Sequence, residues 1–274
     1  MSLPSQNTHS DFPTPYLSPD EGKKQDRNAF TELMSRKPPK QKQASQTSHL
    51  SRKHNKTRDG LGVYIERPES FPPSTVIYYN DDFVAIHDLY PKSTVHFLLL
   101  PRDPQKFFLH PFEALENTQF LAKVREETVK LRKIAASELR RSFGRFSMAE
   151  QVRQEAMEAD PPPDELPQGR NWEDEVRVGI HARPSMNHLH IHVISVDRHS
   201  PCLKHRKHYN SFATSFFVPI EDFPLAPDDI RRHPEREGYL QRDLICWRCG
   251  KNFGNKFTML KEHLEEEFEE WKRL

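Results

Sequence analysis

The sequence predicts an α+β protein: an antiparallel sheet with flanking helices, followed by a small C-terminal unit of the ββα type. Three observations carry this: short apolar runs separated by turn residues, one long segment with helical spacing, and a Cys-x2-Cys pair preceding a helix-forming stretch near the C-terminus.

Residues 1 to 55 are rich in Pro, Ser, Gln and Lys and lack apolar periodicity, so a disordered basic tail is expected there. Its cations, among them Arg36, Lys37, Lys40, Lys42, Arg52 and Lys53, read as a solvated linker or as a nuclear-import or phosphate-contacting stretch. The expected location is the nucleus, with the cytoplasm as a second compartment. The net charge of the 274 residues is only +1, so charge distribution rather than total charge bears on partners. No run of ~18 apolar residues exists, which predicts no membrane span. Three cysteines make no disulfide framework, so Cys246 and Cys249 read as metal ligands of an intracellular protein.

The folded part is expected from about Gly60. Val76 to Tyr79 and Phe83 to Ile86 are predicted strands joined by the turn-forming triplet Asn80-Asp81-Asp82, and Val95 to Leu100 is a third, ended by Pro101. From Pro111 to Leu139, the residues Phe112, Leu115, Phe120, Val124 and Leu131 recur at helical spacing and predict one helix against the sheet. Residues 140–170, with Ala159-Asp-Pro-Pro-Pro-Asp164, predict a helical fragment plus a mobile insertion. Val176 to His181 and His188 to Val196 are two further strands, and Phe212 to Val218 is a candidate for another.

Within the strand predicted from His188, side chains alternate between faces. His188, His190 and His192 then share one face, while Leu189, Ile191 and Val193 face a core. The pattern leaves three readings open: histidines without a reactive role, a metal site, or nucleophilic catalysis at phosphorus. Neutral imidazole is abundant near pH 7, which permits the last.

The stretch Val178-Gly-Ile-His181-Ala-Arg-Pro-Ser185-Met-Asn-His188-Leu-His190-Ile-His192-Val-Ile resembles the histidine-triad nucleotide hydrolases and transferases, whose signature is His-x-His-x-His followed by two apolar residues. The lead-in from His181 to Met186 is similar to the aprataxin branch, which removes AMP from adenylylated DNA 5′ ends. Ala85 to Lys92 and His96 to Pro101 share the family's look. The resemblance covers roughly residues 58 to 274 and implies a histidine-triad catalytic domain. In it His190 is the nucleophile that forms an adenylyl-histidine intermediate, His192 binds a non-bridging phosphate oxygen, and His188 orients His190. It further implies that His181 protonates or stabilises the departing 5′-phosphate. Ser185, the backbone around Met186, and Lys204 would hold phosphate, Asp88 the ribose, and Ile86 and Leu89 the adenine. Asp88 alone also reads as a turn-capping carboxylate, and His87, His96 and His110 receive no role. No metal is expected at the triad.

Near the C-terminus the spacing is Cys246-x2-Cys249-x13-His263-x3-Glu267. His263 and Glu267, four residues apart, fall on one helix face. This fits a ββα finger holding one structural Zn²⁺ with Glu in place of the second His, and it resembles the fungal aprataxins. Phe253, Phe257 and Leu260 are its predicted core; Lys251 and Lys256 are phosphate contacts without base specificity. The family's N-terminal helix wedges against the exposed base pair at a DNA end with an aromatic side chain. Here Thr57 stands in the matching stretch and Gly60 and Gly62 weaken a helix, which leaves Leu61 or Tyr64 as substitutes.

The expected organisation is therefore a tail (1–55), a catalytic domain (56–225) and a zinc-finger DNA-binding domain (226–274). The implied activity is that of a monomeric DNA 5′-adenylate hydrolase releasing AMP from nicked or broken ends. Two alternatives remain: a small-molecule hydrolase acting on adenosine phosphoramidates or dinucleoside polyphosphates, and a non-catalytic DNA-binding scaffold.

Overall fold

Asn80 closes the first hairpin: its side-chain oxygen accepts from the backbone N–H groups of Asp82 (3.0 Å) and Phe83 (2.8 Å), joining β1 (Val76–Tyr79) to β2 (Phe83–His87). The computed structural model describes residues 58–274, so the tail assigned to residues 1–55, and Thr57, lie outside the described residues. β3 (His96–Pro101) continues antiparallel; Pro101 is its last residue, paired with Phe83, where a strand end tolerates proline. With β4 (Val176–His181), β5 (Ile191–Ser195) and β6 (Phe217–Pro219) the sheet runs β1-β2-β3-β5-β4-β6, antiparallel at every pairing.

Alternation gives the sheet two buried faces. Phe83, Ala85, Phe97, Leu99, Val176, Val178, Ile180, Ile191 and Val193 enter the main core. The opposite face carries Val84, Ile86, Leu98 and Leu100 under α1 (Gly62–Glu66), and Ile194 with Phe212 and Phe217. His96, His181 and His192 share the strand parity of this second face.

The single helix expected from Pro111 is two, α2 (Pro111–Ala114) and α3 (Thr118–Phe143). Asn117 breaks the run, because its extended backbone lets its side chain accept from Phe120 N at 2.9 Å. Such a cap contributes about 1 kcal/mol. Val124, Leu131 and Leu139, all at 0% exposure, contribute roughly 1.5–3 kcal/mol each, so packing outweighs the cap in holding α3.

The 140–170 stretch holds α4 (Met148–Glu158), capped by Ser147. It is moored to the rest of the chain: Ser147 Oγ donates to the Leu274 carbonyl (3.0 Å), and Trp172 Nε1 donates to Glu150 (3.0 Å). The strand expected from Phe212 is replaced by α5 (Arg206–Ala213) and the three-residue β6, with Phe212 inside the helix. Thr214 ends α5 by donating its hydroxyl to the Asn210 carbonyl at 2.7 Å. The chain continues through α6 (Pro234–Glu237) to α7 (Phe257–Arg273).

Candidate active site and metal centre

β5 begins at Ile191 rather than His188, because Leu189 N–H donates to the Phe107 carbonyl (2.7 Å) in a loop instead of to a neighbouring strand. The alternation nevertheless holds: Leu189, Ile191 and Val193 enter the main core, and the three histidines lie outside it, each 5% exposed.

His190 Nδ1 lies 2.7 Å from the His188 main-chain oxygen. A carbonyl can only accept, so the proton of neutral His190 sits on Nδ1 and Nε2 carries the lone pair. The hydrogen bond between the two residues thus runs through the His188 backbone and not its ring. The His188 ring instead packs on Phe108 (4.6 Å between centroids) and Phe107 (5.6 Å). Gly62 of α1 passes so close that a Cβ there would lie 3.1 Å from this ring, which accounts for glycine at the start of a helix.

His181, at the end of β4, has its ring centroid 4.4 Å from that of His192. The Nε2 atoms of both are buried without a hydrogen-bond partner among the described residues. A buried polar atom in that state costs roughly 1–3 kcal/mol, which a ligand oxygen would relieve. His96, given no role from sequence, bonds through Nε2 to His192 Nδ1 at 2.9 Å. Phe212, also missed, stands nearly perpendicular to both His96 (5.3 Å between centroids) and His192 (5.2 Å). Because the sequence reads as a strand from Phe212 to Val218, nothing in it pointed Phe212 at this site.

Burial is the largest influence on the His96, His181, His190 and His192 rings and disfavours their charged form. It holds His190 below its ordinary value, pushes His96 to about 4, and sets His181 and His192 well below the ordinary range, where neighbouring histidines and Lys92 add repulsion. At neutral pH these four imidazoles are neutral beside a cation, so this environment does not favour binding of phosphate by resting imidazolium. Lys92 is itself lowered by burial and lies in the field of Asp88, Cys202 and Lys204.

Asp88 caps the turn: Oδ1 accepts from Tyr90 N (2.7 Å), while Oδ2 lies 3.4 Å from His96 Nδ1. Asp88, His96 and His192 also bring three ligand-type atoms within 4.8 Å of one another, although the His96–His192 hydrogen bond already engages a nitrogen of each. Ser185 is half-buried in a lead-in loop pinned by the N-terminal segment. Arg58 Nε donates to the Ser185 carbonyl (2.9 Å), and Asn187 Nδ2 donates to Asp59 (2.7 Å). Met186 packs on the cluster under α1, Lys204 is exposed, and Leu89 is 72% exposed.

Three expectations need correction. Ile86 is 2% exposed inside the cluster under α1, so it can serve the pocket only as floor, not as lining. α1 does form, because Gly60 lies ahead of it and Gly62 occupies its first position. Leu61 is 8% exposed and buried with Ile65, one turn on, so it cannot present itself to a DNA end. Tyr64 is half-buried against Phe71, and the apolar side chain α1 does present is Val63, 44% exposed.

At the C-terminal unit the backbone of Leu244 pairs with Gly254 and Phe253, and Cys246 N–H donates to Lys251 (2.9 Å), making a short ribbon before α7. Ligand-type atoms of Cys246, Cys249, His263 and Glu267 lie within 4.8 Å of one another, with Cys249 Sγ 3.1 Å and Glu267 Oε1 3.0 Å from His263 Nε2. Two thiols, an imidazole and a carboxylate at this closeness fit tetrahedral Zn²⁺. Arg248 Nη1 holds the other Glu267 oxygen (2.5 Å). Lys251 and Lys256 are exposed.

The finger is not packed separately. Phe253, Leu260 and Leu264 share a cluster with Leu203 and Tyr209, with Phe257 partly buried against it. Tyr209 Oη donates to the Ile245 carbonyl (2.8 Å) and accepts from Trp247 N (2.9 Å), while Phe268 and Trp271 belong to the main core. Packing therefore crosses the boundary drawn at residue 226.

Comparison with known proteins agrees with this two-part site. The family described as "C2HE / C2H2 / C2HC zinc-binding finger" matches residues 213–270, and "Scavenger mRNA decapping enzyme C-term binding" matches 63–208. An aprataxin-like protein of Schizosaccharomyces pombe is 40% identical over 78% of this chain and 82% of its own length. One of Saccharomyces cerevisiae is 39% identical over 77% of this chain and 95% of its own length. The chain belongs to the aprataxin family. As a member of it, the chain is a hydrolase of nucleotide phosphoanhydride bonds. The crystal structure of the S. pombe aprataxin ortholog Hnt3 superposes with a TM-score of 0.62 at 36% identity, covering 82% of this chain and 97% of that one. The ortholog in complex with DNA gives 0.61 at 35% identity, covering 78% and 96%.

Proposed function

We propose that this aprataxin-family protein removes AMP from 5′-adenylylated DNA ends through an adenylyl-His190 intermediate, restoring a 5′-phosphate during single-strand break repair in the nucleus. The observation that carries it is the His190–His188 carbonyl bond, which leaves the Nε2 lone pair available for attack. Nε2 attacks the α-phosphorus, the bond to the bridging oxygen breaks, and the 5′-phosphate leaves with that electron pair. The imidazole becomes positively charged, and the His188 carbonyl stabilises its Nδ1–H. Water then cleaves the N–P bond, releasing AMP and the free imidazole.

His192 Nε2 is the donor for a non-bridging oxygen, a contact of the kind that stabilises charge developing in the transition state. His181 faces the departing phosphate; neutral at rest, it gains a proton only once that negative charge lies beside it. Ser185, the Met186 backbone, Lys204 and Lys92 hold phosphate, and Asp88 holds the ribose. DNA binding by this chain is supported by the DNA complex of the Hnt3 ortholog and by the exposed Lys251 and Lys256. One Zn²⁺ at Cys246, Cys249, His263 and Glu267 would shape the finger, and no step passes through it.

The test is single-turnover AMP release from adenylylated nicked DNA. His190→Ala is expected to abolish release while an electrophoretic shift with the same DNA persists. Full turnover by that variant would overturn the mechanism. Equal kcat/KM for the nicked DNA and a free adenosine phosphoramidate would move the substrate to small molecules.

A further inference from the structure

Two cations meet at the residue that walls the triad. α5 ends at Ala213, and the last four carbonyls of a helix have no partner within it. The Phe212 carbonyl is taken instead by two guanidinium groups: Arg177 Nη1 donates to it at 2.9 Å and Arg198 Nη2 at 3.2 Å. The ring of the same residue stands 4.5 Å from His181, 5.2 Å from His192 and 5.3 Å from His96, centroid to centroid. Arg198 is 2% exposed, and its other bonds also go to neutral acceptors, Ser195 O at 2.9 Å and Ser93 Oγ at 3.3 Å. The adjacent carboxylate, Asp197, is engaged by Thr94, Ser195 and His199. One guanidinium thereby ties together the end of β5, the residue after Lys92, and α5. We propose that Arg198 is a positioning residue for the reaction: with Arg177 it clamps the Phe212 carbonyl, so that the Phe212 ring holds His181 and His192 side by side at the substrate phosphate. The consequence for catalysis rests on the adenylyl-transfer reading above; the clamp and the ring contacts do not.

The competing account makes both arginines an ordinary helix end, cations favoured at the negative pole of α5. It accounts for Arg177, which is half-buried and lies 4.7 Å over the Phe217 ring. It does not account for Arg198, which carries three costs that a helix end does not require. Burying a cation on neutral acceptors costs the fold its hydration, and Nε is buried with no hydrogen-bond partner among the described residues. Burial, and then repulsion from Arg177, bring Arg198 down to about 10, so it stays charged at neutral pH beside a second cation. Its backbone is left-handed, with φ of 52°, and no other non-glycine residue among those described has a positive φ. Glycine would make that turn without strain and would leave the place of the guanidinium empty. Strain of this kind persists where the surroundings need the side chain it carries. A closely placed pair of unpartnered Nε2 atoms, those of His181 and His192, is what the wall formed by Phe212 preserves.

The experiment is a double-mutant cycle on the zinc-loaded full-length protein, read as kcat and KM for AMP release from adenylylated nicked DNA. Arg198→Met removes a buried charge and fills most of its volume, so the melting temperature is expected to hold or rise. Its kcat is expected to fall roughly 10- to 100-fold, the scale of a small misplacement of reacting groups, with KM little changed. Unchanged kcat overturns the proposal. Arg198→Lys keeps the charge but cannot reach three acceptors at once, and is expected to lose nearly as much. Full activity in the lysine variant would assign the effect to charge alone and overturn the clamp. Phe212→Leu keeps the clamped carbonyl and removes the ring. If Arg198 acts through that ring, adding Arg198→Met to Phe212→Leu costs no further kcat; losses that multiply overturn the proposal. A second arm is independent of activity. The imidazole C–H signals of His96, His181 and His192 feel the ring current of Phe212, and NMR should show them displaced in Arg198→Met; unmoved signals count against the clamp and overturn it. If wild-type protein releases no AMP, the catalytic reading fails, while the NMR arm still decides the clamp. If the Met variant does not fold, the Lys variant decides both arms.

Discussion

At the scale of single residues, the site is governed by burial of rings that must stay neutral. A histidine whose folded value is lowered stabilises the protein only above the unfolded value, because the unfolded chain takes up protons first as pH falls. His96, at about 4 against an ordinary 6.5, defines the window, and His181, His190 and His192 act in the same direction. Stability is expected to be level above about pH 7 and to fall as pH drops from about 6.5 toward 4, read as the urea midpoint. A midpoint that rises on acidification would show that the rings are not held neutral. Over the same range the nucleophile keeps its lone pair, so the acid limb of kcat/KM should lie below about pH 6.5 until unfolding intervenes. Gly62→Ala brings a Cβ to 3.1 Å from the His188 ring, a distance the ring can relieve by a small shift. The expected outcome is a stability loss under about 1.5 kcal/mol with a measurable fall in kcat, since the pocket wall moves with the ring.

At the scale of elements, β6 shows how little space the sheet leaves. A Cβ on Gly179 would lie 2.4 Å from the Val218 carbonyl and 2.7 Å from the Phe217 ring. Gly179→Ala is therefore expected to break the β4–β6 pairing, at more than about 3 kcal/mol in chemical denaturation; a change under 1 kcal/mol would mean that β6 yields easily. The sequence showed β1 to β4 well, because alternation, a turn triplet and a strand-ending proline mark them locally. The alternation of the triad and the grouping of Cys246, Cys249, His263 and Glu267 were legible from spacing, whereas the lead-in carried meaning only through the family resemblance. What the sequence hid depends on contacts distant in sequence. The end of α5 was obscured because Phe212 to Val218 is apolar enough to mimic a strand, and with it went Phe212. His96 could not be assigned, because its partners are Lys92 N and His192 across the sheet. Leu61 pointed outward on paper because nothing local reveals the cluster under α1 that buries it.

At the scale of the whole molecule, α7 has two attachments. Its first turns carry His263 and Glu267, and its last turns place Phe268 and Trp271 in the main core, where Trp271 Nε1 donates to Glu175 (2.7 Å). Tyr209 adds a link from α5, which also carries Phe212 against the triad. Chelation of the metal is therefore expected to lower the melting temperature of the catalytic domain in a single calorimetric transition. Two separate transitions, with the second unmoved, would count against this coupling. Tyr209→Phe, which removes both hydrogen bonds, should weaken chelator resistance and cost roughly 1–3 kcal/mol of stability. The same helix limits how such proteins can be recombined. A finger grafted from another protein would need to bring an α7 whose final turns match Phe143, Trp172 and Glu175 on the recipient, or the chimaera would lose part of its own core. The finger of this chain is thus no interchangeable cassette; its exchange is a redesign of the enzyme beneath it.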